Sequence, residues 1–241
     1  MTTITTRTEL ELPGVQQALI GAERVPVQDS FEDINPSTGQ PCARIARCGA
    51  DEIDLAVHCA RNTYESLWRH SSPADRAAAC HAIAAALRDH REELAMLETL
   101  DTGKPRAQAL TDADVAARYF EFYAGCAEAL FGDTLFSKPN LLAYTVPEPY
   151  GVCGHIVPWN YPLQVAARTV APALAAGNTC VLKPAETTPL TALAFAEICQ
   201  QADLPPGVVN ILTGAGNTGR TLVEHPGVDK VAFTGSTEVG K

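Results

Sequence analysis

The sequence predicts an α/β protein whose second part is a parallel sheet wound with helices and whose first part is mainly helical. From Val152 onward, short apolar runs alternate with stretches of helical periodicity, the pattern left by parallel strands and their crossover helices. Ahead of Pro139, three long segments carry apolar residues at gaps of three and four, which gathers them on one helix face. Hydrophobic residues make up 46% of the 241, enough to core one large domain or two modest ones.

Taken in order, residues 1–30 are polar and Thr-rich and read as a loose tip followed by a short hairpin. They contain no apolar leader core, and Glu9 and Glu11 oppose a transit peptide. Ile34, Asn35, Pro36, Ser37, Thr38 and Gly39 spell a turn. The first helix is expected over Asp51–Trp68, its stripe being Ile53, Ala56, Val57, Ala60, Tyr64, Leu67 and Trp68. The second has Ser72 as cap, Pro73 in its first position and Asp75 near its positive end. It continues through Ile83, Leu87, Leu94, Leu97 and Leu100 to a stop at Gly103 and Pro105. A third helix is expected over Thr111–Leu130, burying Val115, Tyr119, Phe122 and Ala129.

Leu141–Val146 reads as extended, punctuated by Pro147, Pro149 and Gly151. The strands of the sheet are then Val152–Val157, Cys180–Lys183, Val208–Leu212 and Val231–Phe233, with helices over 163–176, 189–202 and 217–225. Gly177 stops the first of these helices, and Thr188 can cap the second ahead of Pro189.

Charge and cysteine usage exclude several classes. Eighteen basic against twenty-eight acidic side chains leave a net charge of -10, against a nucleic-acid partner. No apolar run reaches the roughly 20 residues of a membrane helix. The eight cysteines form no CxxC pair and the six histidines no zinc spacing, so scattered reduced thiols and a soluble cytoplasmic protein are expected. Cys153 and His155 share one strand face, which packing explains better than a catalytic dyad.

Ligands of parallel sheets sit beyond the carboxyl ends of the strands. Those loops hold Pro158-Trp159-Asn160-Tyr161-Pro162, Lys183-Pro184-Ala185-Glu186, Gly214–Gly219 and Thr234–Lys241. Gly214–Gly219 fits GxGxxG, a weak signal alone, and Gly235–Lys241 fits the start of the phosphate-cradling GxxxxGK. A nucleotide triphosphatase is therefore a rival reading, but it leaves the first two loops unexplained.

Four strings, PWNYPL, APALAAGNTCVLKPAETTPLTAL, LPPGVVNILTG and VDKVAFTGSTEVGK, stand in the order and spacing of the aldehyde dehydrogenase superfamily. INPSTG, ETLDTGKP and YFEFYAG agree more loosely, so the resemblance covers the chain from about residue 30. It implies a Rossmann-like cofactor domain, with 1–138 its helical N-terminal part, 139–151 part of an oligomerisation arm and 152–241 the NAD-binding part.

The resemblance also implies roles. Asn160 is similar to the family's oxyanion asparagine, a neutral amide that meets the alkoxide formed when a thiolate attacks an aldehyde. Lys183 and Glu186 resemble the pair that binds the adenosine ribose, where a carboxylate accepts the diol and repels a 2′-phosphate, favouring NAD over NADP. Gly235 and Ser236 resemble the pyrophosphate contact at a helix start, and Gly216 and Gly219 the glycines beside the adenine. Ile156, Pro158, Trp159, Phe233 and Thr234 complete the implied cofactor-binding set. Asp101 resembles a residue that some relatives use to hold a monovalent cation, although an ordinary acid at a helix end fits equally well.

The family's nucleophilic cysteine and general-base glutamate stand in GQxC and ELGGK strings downstream of FTGSTEVGK, the string on which these 241 residues end. The expectation is a partial chain without the catalytic domain, inactive alone, whose complete form is a homodimer or homotetramer oxidising an aldehyde. ETLDTGKP and YFEFYAG lean toward betaine aldehyde and aminoaldehydes. A stand-alone nucleotide- or partner-binding module is the alternative.

Overall fold

The computed structural model describes residue 12 and residues 14–240; the polar tip of the chain and Lys241 lie outside the described residues. After a short strand β1 (Val15–Gln16), β2 (Ala18–Ile20) and β3 (Glu23–Val25) form the expected early hairpin, antiparallel in register Ile20 with Glu23. The Asn35–Gly39 turn joins β4 (Ser30–Asn35) to β5 (Gln40–Ala46). Asn35 closes it twice, its Oδ1 accepting from the Ser37 N–H at 2.8 Å and its carbonyl from the Gly39 N–H at 2.8 Å. Gly39 takes a φ of 67° there, a region glycine enters without a Cβ penalty.

Helix α1 (Ala50–Ser66) buries Ile53, Ala56, Val57, Ala60 and Tyr64 as the stripe predicts. It ends two residues early: Leu67 leaves the helix and is half exposed, while Trp68 is buried from a short 3₁₀ turn. The second expected helix is two. α2 (Pro73–Asp89) starts with the Ser72 cap, whose hydroxyl accepts from the Asp75 N–H while the Asp75 carboxylate accepts from the Ser72 N–H. At His90 the chain leaves helical geometry, and α3 (Arg91–Thr102) begins. The spacing from Leu87 to Leu94 suits a continuous helix, so the stripe conceals the break. His90 supports the new start by bonding Glu93 through Nδ1 at 2.9 Å. Gly103, at a φ of 73°, ends α3.

In α4 (Arg106–Ala127) the expected stripe is displaced. The buried face is Ala109, Asp112, Ala113, Ala116, Ala117, Phe120, Ala124 and Ala127, whereas Phe122 is 56% exposed and Ala129 lies beyond the helix. Small alanines let α4 lie close against α2 and the next helix, so close packing rather than side-chain size selects the face. The extended segment after Pro139 is half of a hairpin, β6 (Thr134–Lys138) with β7 (Leu141–Tyr144).

The main sheet contains β8 (Val152–Ile156), β9 (Thr179–Lys183), β10 (Val209–Ile211) and β11 (Lys230–Phe233), all parallel. Its order is β11-β8-β9-β10-β2-β3, so the early hairpin extends it antiparallel at the β10 edge. Helices α5 (Pro162–Ala175), α6 (Leu190–Gln201) and α7 (Gly216–Glu224) are the crossovers. Alternation along β9 divides the core: Cys180 and Leu182 pack with α2, α4, α5 and α6, and Val181 packs with α1 and α7.

From β8 the chain moves to β9 and β10, then returns to place β11 on the other side of β8. Right-handed crossovers in opposite directions put α5 and α6 on one face and α7 on the other. The strand order therefore reverses between β8 and β11, which opens a crevice at their carboxyl ends.

Candidate cofactor and active site

Strand register carries three of the expected residues to that crevice. Ile156 pairs with Lys183 on one side and Phe233 on the other. The ladder runs one step further: Val157 N–H donates to the Lys183 carbonyl at 3.2 Å, and Thr234 N–H to the Ile156 carbonyl at 3.1 Å. Gly219, in the first turns of α7, packs against the same row. A Cβ there would lie 3.5 Å from Ile156 Cδ1 and 3.7 Å from Lys183 Cδ. Gly216, the first residue of α7, faces open space, and the helix start has no side-chain cap. These uncapped N–H groups and the glycine surface leave a cradle able to accept an anionic group.

Lys183 is buried but directs its ammonium toward Glu186, Nζ to Oε2 being 3.6 Å. Burial lowers the lysine pKa and Glu186 opposes that shift. Glu186 itself is about half exposed, placed where its free oxygen can accept from an entering ligand. Beyond β11, Gly235 and Ser236 lead into a turn. The Gly240 N–H donates to the Ser236 carbonyl at 3.1 Å and the Val239 N–H to Ser236 Oγ at 3.3 Å. Among the described residues this is a turn rather than the expected helix start.

Pro158, Trp159 and Asn160 follow β8 directly. Trp159 and Asn160 are exposed, and the Asn160 amide has no hydrogen-bond partner among the described residues. Arg168 of α5 reaches across the crevice to Thr234, Nη2 to Oγ1 being 3.4 Å. Sequence reading missed that link because nothing in a helical arginine announces a partner 66 residues away.

Asp101 is not with this group. It is buried at the end of α3, where its Oδ2 accepts from the Leu190 N–H, the first amide of α6, at 2.9 Å. It thus performs the capping expected of Thr188, whose buried hydroxyl has no partner. Burial first, and then the neighbouring Asp33 charge, raise the Asp101 pKa. The Oδ1 atoms of Asp33 and Asp101 are both buried with no donor from any other residue, and the two carboxyls face each other, so a proton shared between them further raises the Asp101 pKa.

Burial raises the pKa of seven of the eight thiols. All eight are free. Burial pushes the Cys153 thiol up to about 11 and the His155 imidazole down to about 3, so each favours its neutral form and the dyad reading fails. The described residues contain no cluster of three or more metal-ligating side chains, and no helix long and apolar enough to cross a membrane.

A parallel sheet with a switch-point crevice, glycine-lined at one helix start and acid-tipped at the next loop, defines a Rossmann-like dinucleotide-binding fold. The chain belongs to the aldehyde dehydrogenase family, whose pattern matches residues 25–241, and this membership displaces the triphosphatase reading of Gly235–Lys241. It is 48% identical over 217 residues to betaine aldehyde dehydrogenase 1 of Oryza sativa subsp. japonica, covering 86% of this chain and 43% of that one. It is 44% identical to the NADP/NAD-dependent aldehyde dehydrogenase PuuC of Escherichia coli (strain K12), over 88% of this chain and 44% of that one. The NAD+ complex of aldehyde dehydrogenase from Bacillus cereus superimposes with a TM-score of 0.91 at 41% identity, over 93% of this chain and 47% of that one. The chain thus spans less than half the length of these relatives.

Proposed function

We propose that this chain supplies the cofactor site and the oxyanion donor of an NAD-using aldehyde dehydrogenase that oxidises an aldehyde to its acid. The observation that carries the proposal is the placement of Asn160. It stands at the rim of the β8/β11 crevice, exposed and unpartnered, in a loop whose two ends are stiffened at Val157-Pro158 and Tyr161-Pro162. An amide so placed donates N–H to the oxygen of a carbonyl as that oxygen gains charge, and being neutral it takes no proton from the reaction.

The residues present fit NAD: Ile156, Pro158, Trp159 and Phe233 as walls, Gly216 and Gly219 on the adenine side, Thr234, Gly235 and Ser236 near the phosphates, and Lys183 with Glu186 at the ribose. Bound there, NAD supplies the hydride acceptor of the reaction. Glu186 would accept hydrogen bonds from a diol and repel a 2′-phosphate. The thiolate that attacks the aldehyde is assigned outside these 241 residues, since burial disfavours the thiolate at seven of the eight cysteines here. Betaine aldehyde is the substrate that the name of the rice relative supports, and the ETLDTGKP and YFEFYAG strings extend the class to aminoaldehydes.

The buried carboxyls of Asp33 and Asp101, which otherwise share a proton, could instead hold a monovalent cation between them, whose test is the melting temperature in sodium or potassium against choline. The hairpin β6–β7, with Phe136 96% exposed and Leu142 74% exposed, supports assembly of the complete chain as a homodimer or homotetramer. A cytoplasmic location fits the reduced thiols. In the complete enzyme, Asn160→Ala should lower kcat by roughly 10²–10³, the scale of one oxyanion donor, read as NADH absorbance. Unchanged turnover would remove Asn160 from the chemistry.

A further inference from the structure

A buried charge cluster lies directly behind the Asn160 loop. Lys104 follows the left-handed Gly103 that ends α3, and its ammonium is 2.7 Å from Glu98 Oε1 and 2.7 Å from Asp112 Oδ2. All three side chains are at most 8% exposed. The remaining side of the ammonium faces the Tyr161 ring, 4.6 Å from its centroid, an attraction that strengthens where water is excluded.

Tyr161 joins Asn160 to Pro162, the first residue of α5. It is held at three points: the ring by Lys104, the hydroxyl by Gln108 Nε2 at 3.1 Å, and the carbonyl by the Val165 N–H at 2.9 Å. Asn160 is held at none through its side chain. The direction of its amide is therefore inherited from the backbone that Tyr161 anchors. Burial opposes a charged Lys104, but its two carboxylates outweigh that penalty and keep the ammonium protonated. Burial raises the Glu98 pKa, and the Lys104 ammonium first and the Leu163 N–H at the start of α5 last oppose that shift, so the cluster also touches α5.

Stability alone explains such a cluster poorly, because buried ions are often replaceable by apolar groups without loss. We propose that Lys104, fixed by Glu98 and Asp112, is a positioning residue that aims the Asn160 amide through the Tyr161 ring. This rests on the oxyanion reading of Asn160.

The test is a double-mutant cycle on kcat in the full-length holoenzyme. Lys104→Met should lower kcat by about 10-fold, and by up to about 10² if the amide moves by an ångström, with KM for NAD unchanged. In an Asn160→Ala background it should lower kcat no further, because the group it aims is gone. Tyr161→Phe, which keeps the ring, should retain near-normal kcat, and Tyr161→Leu should behave like Lys104→Met. Should Lys104→Met prove insoluble, Tyr161→Leu with Asn160→Ala reads the same coupling with the ions intact. Independent, multiplying losses of kcat would overturn the positioning role while leaving the oxyanion reading standing. Wild-type kcat in Asn160→Ala alone would remove the oxyanion reading, and the proposal with it.

Discussion

His155 sits in the middle of β8, 1% exposed, with neither ring nitrogen hydrogen-bonded. Burial first, and the Lys230 charge second, push its pKa from 6.5 to about 3. A group that resists protonation in the folded state binds its proton more readily when unfolded, so acid favours unfolding. The stability tied to a neutral His155 is fully present above pH 6.5 and is lost progressively as pH falls toward 3. At pH 5 the unfolded imidazole is almost entirely protonated and the folded one almost entirely neutral. With the pKa values of 6.5 and about 3, the lost stability at that pH is about 2 kcal/mol. His155→Leu removes the titration at similar volume, and it also removes two unsatisfied nitrogens.

The assay is urea unfolding of both proteins at one concentration, followed by tryptophan fluorescence from pH 8 to pH 5. Association between chains enters both alike, since His155 does not reach the surface. The variant's advantage should be constant above pH 7 and widen by about 2 kcal/mol on reaching pH 5. A constant gap across the range would show that His155 is either protonated in the fold or accessible to water, and the reasoning from burial would fail.

Two further outcomes are expected of the complete enzyme. Glu186→Gln removes the diol acceptor's charge and should weaken NAD while narrowing its advantage over NADP, measured by titrating each cofactor; an unaltered ratio would make Glu186 a bystander. Phe136→Asp, on the hairpin face that is bare in this chain, should shift the assembly to smaller species in size-exclusion chromatography with light scattering. An undisturbed assembly would place the subunit interface elsewhere.

What could be read from the linear sequence was whatever local chemistry determines. The alternation of apolar runs with helical stripes after Val152 corresponds closely to β8 through β11 and α5 through α7. Ser72 and Pro73 announced a helix start because capping involves neighbours three residues apart. The loops that bear Asn160, Lys183 and Glu186 could be found because parallel strands deliver them to one edge.

The rest depended on distant partners. No local signal shows that β2 would join the sheet against β10, since its register partner Ile211 is supplied by the fold. The stripe of α4 was displaced because close packing of alanines, not hydrophobic size, chose the buried face. In sequence Asp101 reads as an ordinary acid at a helix end or as a cation ligand, and only the fold sets it against the first amide of α6. Glu98, Lys104 and Asp112 are ordinary charged residues in sequence. Only the meeting of α3, α4 and the start of α5 withdraws them from water and makes their mutual attraction strong.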